Sequence, residues 1–514
     1  MRPAPGSVLR APGIVLHLDA AGTVRTVSSA ADPALVWLAG CGELDVTTVD
    51  GPLAAGVPRV AVDRDEVEVE RFGGGLRTVV RHAVEQGWTV RVVLANESDT
   101  ALELAQVRLG WTAAPGTVVT ALAGGASAAY AVQPAAGDGP VLVGRLRSGV
   151  QAGVDETGLL LGPLVLAPHH RWAAQWRWQV VPDVRRAGTG GLPPTTWLDR
   201  DRAVVLPAGP DVAVVAPGLA VEVDDDRVEV AAWEPGAHEV ELRSARGTTT
   251  LPLTWAPDLD DLVDTVATEL LAGATTPAGT PRLAGAAAGL VVQDALVRRA
   301  TGAPDELVDA LELVAGRLVE ELDEGSGPVD PLTLAFLTRE ADRTGASSLL
   351  DAAGRRFLGT PAAIPGLGLA GVGLALARMR QGRPSPEVVA HLCELLAGAP
   401  SGDAAGLELA LLLRARDAVA DEPVLAALRR LGARLGAGLP GRVVPPVELA
   451  GTAYASTVLG LVDEPTGHRL ADVWGVPAAE VARRTAAEAR ARLWSGEGGG
   501  AARRALAWLV LGRP

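Results

Sequence analysis

Helices of two kinds take turns along the second half of this chain. One kind carries an apolar stripe opposite a charged face: Leu307, Leu311, Val314, Leu318 and Leu322 fall on one side, with Glu312, Arg317, Glu320 and Glu321 on the other. The next kind is apolar nearly all round, as in the run Leu367 to Ala377. A striped helix has one wet side, whereas an all-apolar helix has to be covered everywhere. Regular alternation of the two predicts a double layer, an inner ring of helices wrapped by an outer one. Read as pairs, residues 257–514 hold six helical hairpins plus one short extra helix near Val473. Six antiparallel pairs can close into a toroid; an open superhelical stack of pairs is the alternative. A closed ring leaves no inner edge exposed, which suits helices this apolar, and it is the expected form.

The first half alternates with a shorter period. Glu66 to Phe72 alternates charged and apolar, residue by residue as far as Glu70, and Trp88, Val90, Val92 and Leu94 line one face of the next clear strand. That two-residue period marks half-buried strands. Gly- and Pro-rich breaks recur at residues 73–75, 124–125 and 137–140, with no long helical period between them. An antiparallel β-sandwich is predicted for residues 1–184. A further break at residues 185–194 precedes a compact strand set at 195–256, read as a small Ig-like module, free-standing or merged with the first sheets. The fold class expected is therefore multidomain α+β: antiparallel β-sandwiches, then an all-α barrel of helical hairpins over 257–514.

Composition removes several functions. All 46 Lys+Arg residues are arginine, so no Schiff-base, phosphate-loop or general-base lysine exists in the 514 residues. A net charge of −15 argues against nucleic-acid binding, which needs a basic face. Cys41 and Cys393 lie in different halves and fit free thiols in a reducing compartment. The N-terminus lacks the apolar core of a signal peptide, and the apolar helices are too short to span a bilayer. A cytoplasmic protein without membrane attachment is expected. No zinc motif, dinucleotide fingerprint or nucleophile elbow appears, so no metal and no cofactor is expected.

A β-sandwich followed by six helical hairpins resembles the six-hairpin glycosidase architecture, a β-supersandwich joined to an (α/α)6 barrel. The resemblance rests on element order and alternation, without signature residues. It implies a site in the barrel mouth, on loops entering the inner helices, and glycosidic bond cleavage by an acid and a second carboxylate. On this chain those loops carry Asp330, Asp403, Glu448 and Glu497, each just before an apolar helix. They are the candidate catalytic residues, and Arg282, Arg442 and Trp494 the candidate substrate-binding ones. The competing expectation is that acids at these positions cap free N–H groups at helix N-termini.

Trp172, Trp176 and Trp178 share one face of an extended strand. They form either a sugar-stacking platform or a sheet face packed into the core, and the core reading is favoured because large aromatics dominate cores. Two functions stand at this stage. One is glycoside hydrolysis or glycan binding, with or without retained catalysis. The other is a non-enzymatic scaffold whose ring and sandwich bind a protein partner. A terpenoid-type ring enzyme lacks the Asp-rich motif it would need.

Overall fold

The computed structural model describes residues 6–513 apart from 55, 188–192, 194, 208–210, 225–226, 246, 273–284, 299–303, 326–328, 401–402 and 414–420. Among these residues an antiparallel β half is followed by a helical half, the multidomain α+β arrangement expected. An eight-stranded sheet built from strands between Val8 and Leu166 faces a thirteen-stranded one. The alternation read from the sequence is what buries one side of each strand: along Trp88–Asn96, every second side chain is buried. Trp37 and Trp111 from the first sheet meet Trp88, Tyr130, Trp176 and Trp178 from the second in one core.

That core also decides between the two readings of the tryptophan face. Trp176 and Trp178 are 0% and 1% exposed, and Trp172 is partly buried against the same cluster. The face is packing, not a platform. The strands of 195–256 divide: Gly247–Ala256 and its neighbours join the large sheet, pairing with Thr117–Gly125 through Gly124–Thr250, while Val204–Pro207, Arg227–Ala231 and Ala220–Asp224 form a separate three-stranded sheet. Together they enclose a core of their own around Leu206, Val230, Val240, Leu251 and Trp255.

The helices are α1 (Leu259–Ala272), α2 (Gly285–Val297), α3 (Pro304–Glu324), α4 (Pro331–Thr344), α5 (Ser347–Leu358), α6 (Leu367–Arg380), α7 (Pro386–Gly398), α8 (Ala404–Leu412), α9 (Glu422–Arg434), α10 (Leu449–Gly460), α11 (Glu464–Trp474), α12 (Ala478–Trp494) and α13 (Ala502–Leu511). The apolar ones form the inner ring. Neighbours α2–α4, α4–α6, α6–α8, α10–α13 and α13–α2 touch, and a hydrogen bond from Tyr454 on α10 to Glu408 on α8 completes the circle. The ring is closed. Ten of the twelve residues of α10 are buried, whereas α3, striped and charged, wets one side. On α6 the apolar exceptions are Leu376 and Met379, 43% and 58% exposed. The extra helix expected near Val473 is α11, which bridges α9 and α12. Among the described residues no helix is long and apolar enough to cross a membrane.

Ring and sandwich are tied by polar groups on α9, α12 and one short strand. Arg442–Val444, expected as loop, adds to the large sheet beside Thr117–Gly125. Gln133 donates to the Ala433 carbonyl at 3.0 Å. Arg483 and Arg490 on α12 both reach Asp199, and Arg490 also donates to the Pro257 carbonyl at 2.7 Å. Arg484, fully inside, donates to the carbonyls of Leu435, Gly436 and Leu439 at 2.6–2.8 Å. These bonds fix the end of the ring that faces the sandwich.

Candidate functional site

A cavity of about 450 Å³ opens in the mouth of the ring. The segments entering α6, α8 and α10 surround it at Pro365, Asp403 and Glu448, and Arg504 from the first turn of α13 joins them. α9 forms a side wall with Ala427, Arg430, Leu431 and Arg434, and the sandwich contributes Ala135. Leu407, Tyr454, Val458 and Trp508 give it an apolar, partly aromatic lining, with the Tyr454 and Trp508 rings edge to face at 5.1 Å. The N-termini of α8 and α10 point the positive end of the helix dipole at the cavity, so negative charge is favoured here.

The nominated carboxylates separate by what they touch. Glu448 is exposed and caps α10, accepting from the N–H groups of Ala450 and Gly451 at 3.2 and 3.1 Å. Asp403 holds the N-cap position of α8 with no side-chain capping bond, so its exposed carboxylate is free to meet a ligand. Both line the cavity. Asp330 caps α4 at Leu332 N–H (3.3 Å) and grips Arg504 with both oxygens at 2.9 and 3.2 Å. It holds one of the lining arginines in place. Arg430 and Arg434 form no ion pair with any described residue.

Glu497 and Arg442 belong elsewhere. They line a second cavity of about 680 Å³ between the sandwich and the ring, with Arg108, Asp155, Glu156, Thr157, Trp197, Glu488 and Arg492. Glu497 pairs with Arg492 at 2.5 Å rather than capping a helix. Burial pushes the Glu488 carboxyl up, against Arg492 and Arg484, and pulls the Arg442 guanidinium down. Trp494, 48% exposed at the end of α12, lines neither cavity. Arg282 lies outside the described residues.

Sequence reading left out the most enclosed acid of the mouth. Glu408 is 0% exposed, directly behind Tyr454. It accepts from the N–H groups of Gly366 and Leu369 at the start of α6, each at 2.6 Å, and from the Tyr454 hydroxyl. Burial pushes its carboxyl up despite these three donors, and burial together with Glu408 pushes the Tyr454 phenol far above its ordinary range. Tyr454 therefore stays protonated, offering the cavity an aromatic face and an oxygen lone pair rather than a base. The signal was present: Glu408 is the one acid in an otherwise apolar inner helix, and such an acid needs donors. Gly366 belongs to this arrangement, with φ of +94°, and a Cβ there would lie 2.0 Å from the Trp508 ring.

No family model matches the chain, and no curated protein matches it either. Among solved structures, a polysaccharide lyase aligns with a TM-score of 0.67 at 10% identity, covering 95% of this chain and 92% of that one. At that identity the likeness establishes a shared fold. An active YidC insertase and YidC from Thermotoga maritima align over 36% of this chain, and over 41% and 52% of theirs, at 14% and 16% identity. Their TM-scores of 0.22 and 0.21 carry no argument.

Proposed function

We propose that the ring mouth is a carbohydrate site, in which Asp403 and Glu448 serve as proton donor and acceptor in glycosidic bond cleavage. The observation that carries this is the meeting of those two carboxylates with Tyr454 and Trp508 around one 450 Å³ cavity. Sugar C–H faces pack on aromatic rings, and carboxylates move protons at the glycosidic oxygen. The fold shared with a polysaccharide lyase supports the same reading. Arg430 and Arg434 suit a saccharide that carries negative charge, since guanidinium groups pair well with carboxylates.

The test is incubation with neutral and acidic polysaccharides, followed by chromatography of the products. At least one substrate is expected to be cleaved, and Asp403→Asn or Glu448→Gln each lowers the rate by about 10²-fold or more. A product with a new double bond marks elimination; one without it marks hydrolysis. Binding without cleavage would leave the site standing and remove the acid–base roles. Absence of binding to every polysaccharide would contradict the proposal. A protein-docking role is the second reading, favoured by Trp233 and Val223, which are 76% and 75% exposed on the strand set of 195–256.

A further inference from the structure

The geometry points to a second ligand site, separate from the mouth: the groove between sandwich and ring binds a carboxylate on Arg442. Three arginines line this groove, and two are already neutralised. Arg108 pairs with Asp155 at 2.9 Å, and Arg492 pairs with Glu488 and Glu497 at 3.3 and 2.5 Å. Arg442 forms no ion pair within 4 Å of any described residue; the Glu488 carboxylate, already held by Arg492, acts on it only from further away. Its guanidinium lies over the Trp197 ring, 4.5 Å from the centroid. Nη2 donates to Thr254 Oγ1 at 2.6 Å and to the Pro252 carbonyl at 3.3 Å. Nε is sealed from water without an acceptor, and Nη1 makes no hydrogen bond to a described residue.

A cation so placed is expensive, and a counter-charge offsets the cost. The strand Arg442–Val444, bonded to Thr117–Gly125, and the Trp197 stack hold the guanidinium in one orientation, so an entering carboxylate meets a fixed donor edge. The groove, about 680 Å³, admits a molecule of one or two sugar units, with Val443, Val444, Pro445 and Pro446 as apolar wall. A free small carboxylate and the acid group of a saccharide share this chemistry.

Calorimetric titration of the full chain with succinate, D-glucuronate and D-glucose separates the sources. Succinate, glucuronate or both are expected to bind, and glucose is not. Arg442→Gln weakens the binding at least tenfold. Glu156→Trp, at an exposed lining position, blocks the groove without touching the Arg442 contacts and has the same effect. Asp403→Asn and Glu448→Gln leave carboxylate affinity unchanged, so a failure here is distinguishable from a failure at the mouth. Absence of binding by both acids overturns the inference, as does affinity that survives Arg442→Gln or Glu156→Trp, or that falls with the mouth variants.

Discussion

Replacing Trp178 with alanine is expected to destabilise the sandwich by about 3–5 kcal/mol, the usual cost of removing a large aromatic from a packed core. Trp178 stacks on Trp88 at 5.5 Å, tilts against Trp111 at 5.9 Å and is 1% exposed. Its ring lies flat over Gly144, where a Cβ would come within 2.6 Å of it. Nothing can collapse into the space, because both sheets contribute rigid strands to its walls. Urea unfolding followed by tryptophan fluorescence measures the loss. A change below about 1 kcal/mol, typical of surface sites, would mean that this face is not core.

Glu408→Ala is expected to cost the helical ring about 3 kcal/mol, because two N–H groups and a phenol lose their buried acceptor together. The same change frees Tyr454, so affinity for any mouth ligand falls with stability. The acid also imposes a pH dependence. Its carboxyl is held above the ordinary range, so the folded ring binds the proton more tightly than the unfolded chain. The associated stability is complete below the ordinary carboxylate pKa and is lost as pH rises through the raised one. Glu408→Gln removes that decline. Thermal unfolding of wild type and both variants across the acid range checks the sign, and a wild-type stability that rises with pH while that of Glu408→Gln stays flat would contradict it.

The architecture was legible because it rests on hydrophobic period, which survives in a single sequence. Leu449 to Leu459 is nearly apolar and carries no charge on any face, which calls for cover on all sides. The strand Arg442–Val444 was not legible: three residues before two prolines carry no period, and the partner strand lies more than 300 residues upstream. The same gap misassigned the surroundings of Arg442 and Glu497. Arg442 lies on the added strand and Glu497 just after α12, and both line the groove between sandwich and ring rather than the mouth. Asp403 and Glu448 were nominated from position, and both line the mouth cavity, whereas Asp330 and Glu497, nominated in the same way, do not. The Tyr454–Glu408 pairing was not legible: it joins two helices across 46 residues, which no local pattern encodes.

The central claim is that a saccharide occupies the mouth of the ring. Hydrogen exchange of the full chain, with and without a saturating oligosaccharide, tests it directly. The first amides of a helix have no intrahelical partner and exchange readily unless something covers them. The account predicts slowed exchange at the starts of α8 and α10, around Asp403 and Glu448, and along the Arg430–Leu435 wall. Protection found only in the sandwich, with the ring mouth unchanged, would contradict it.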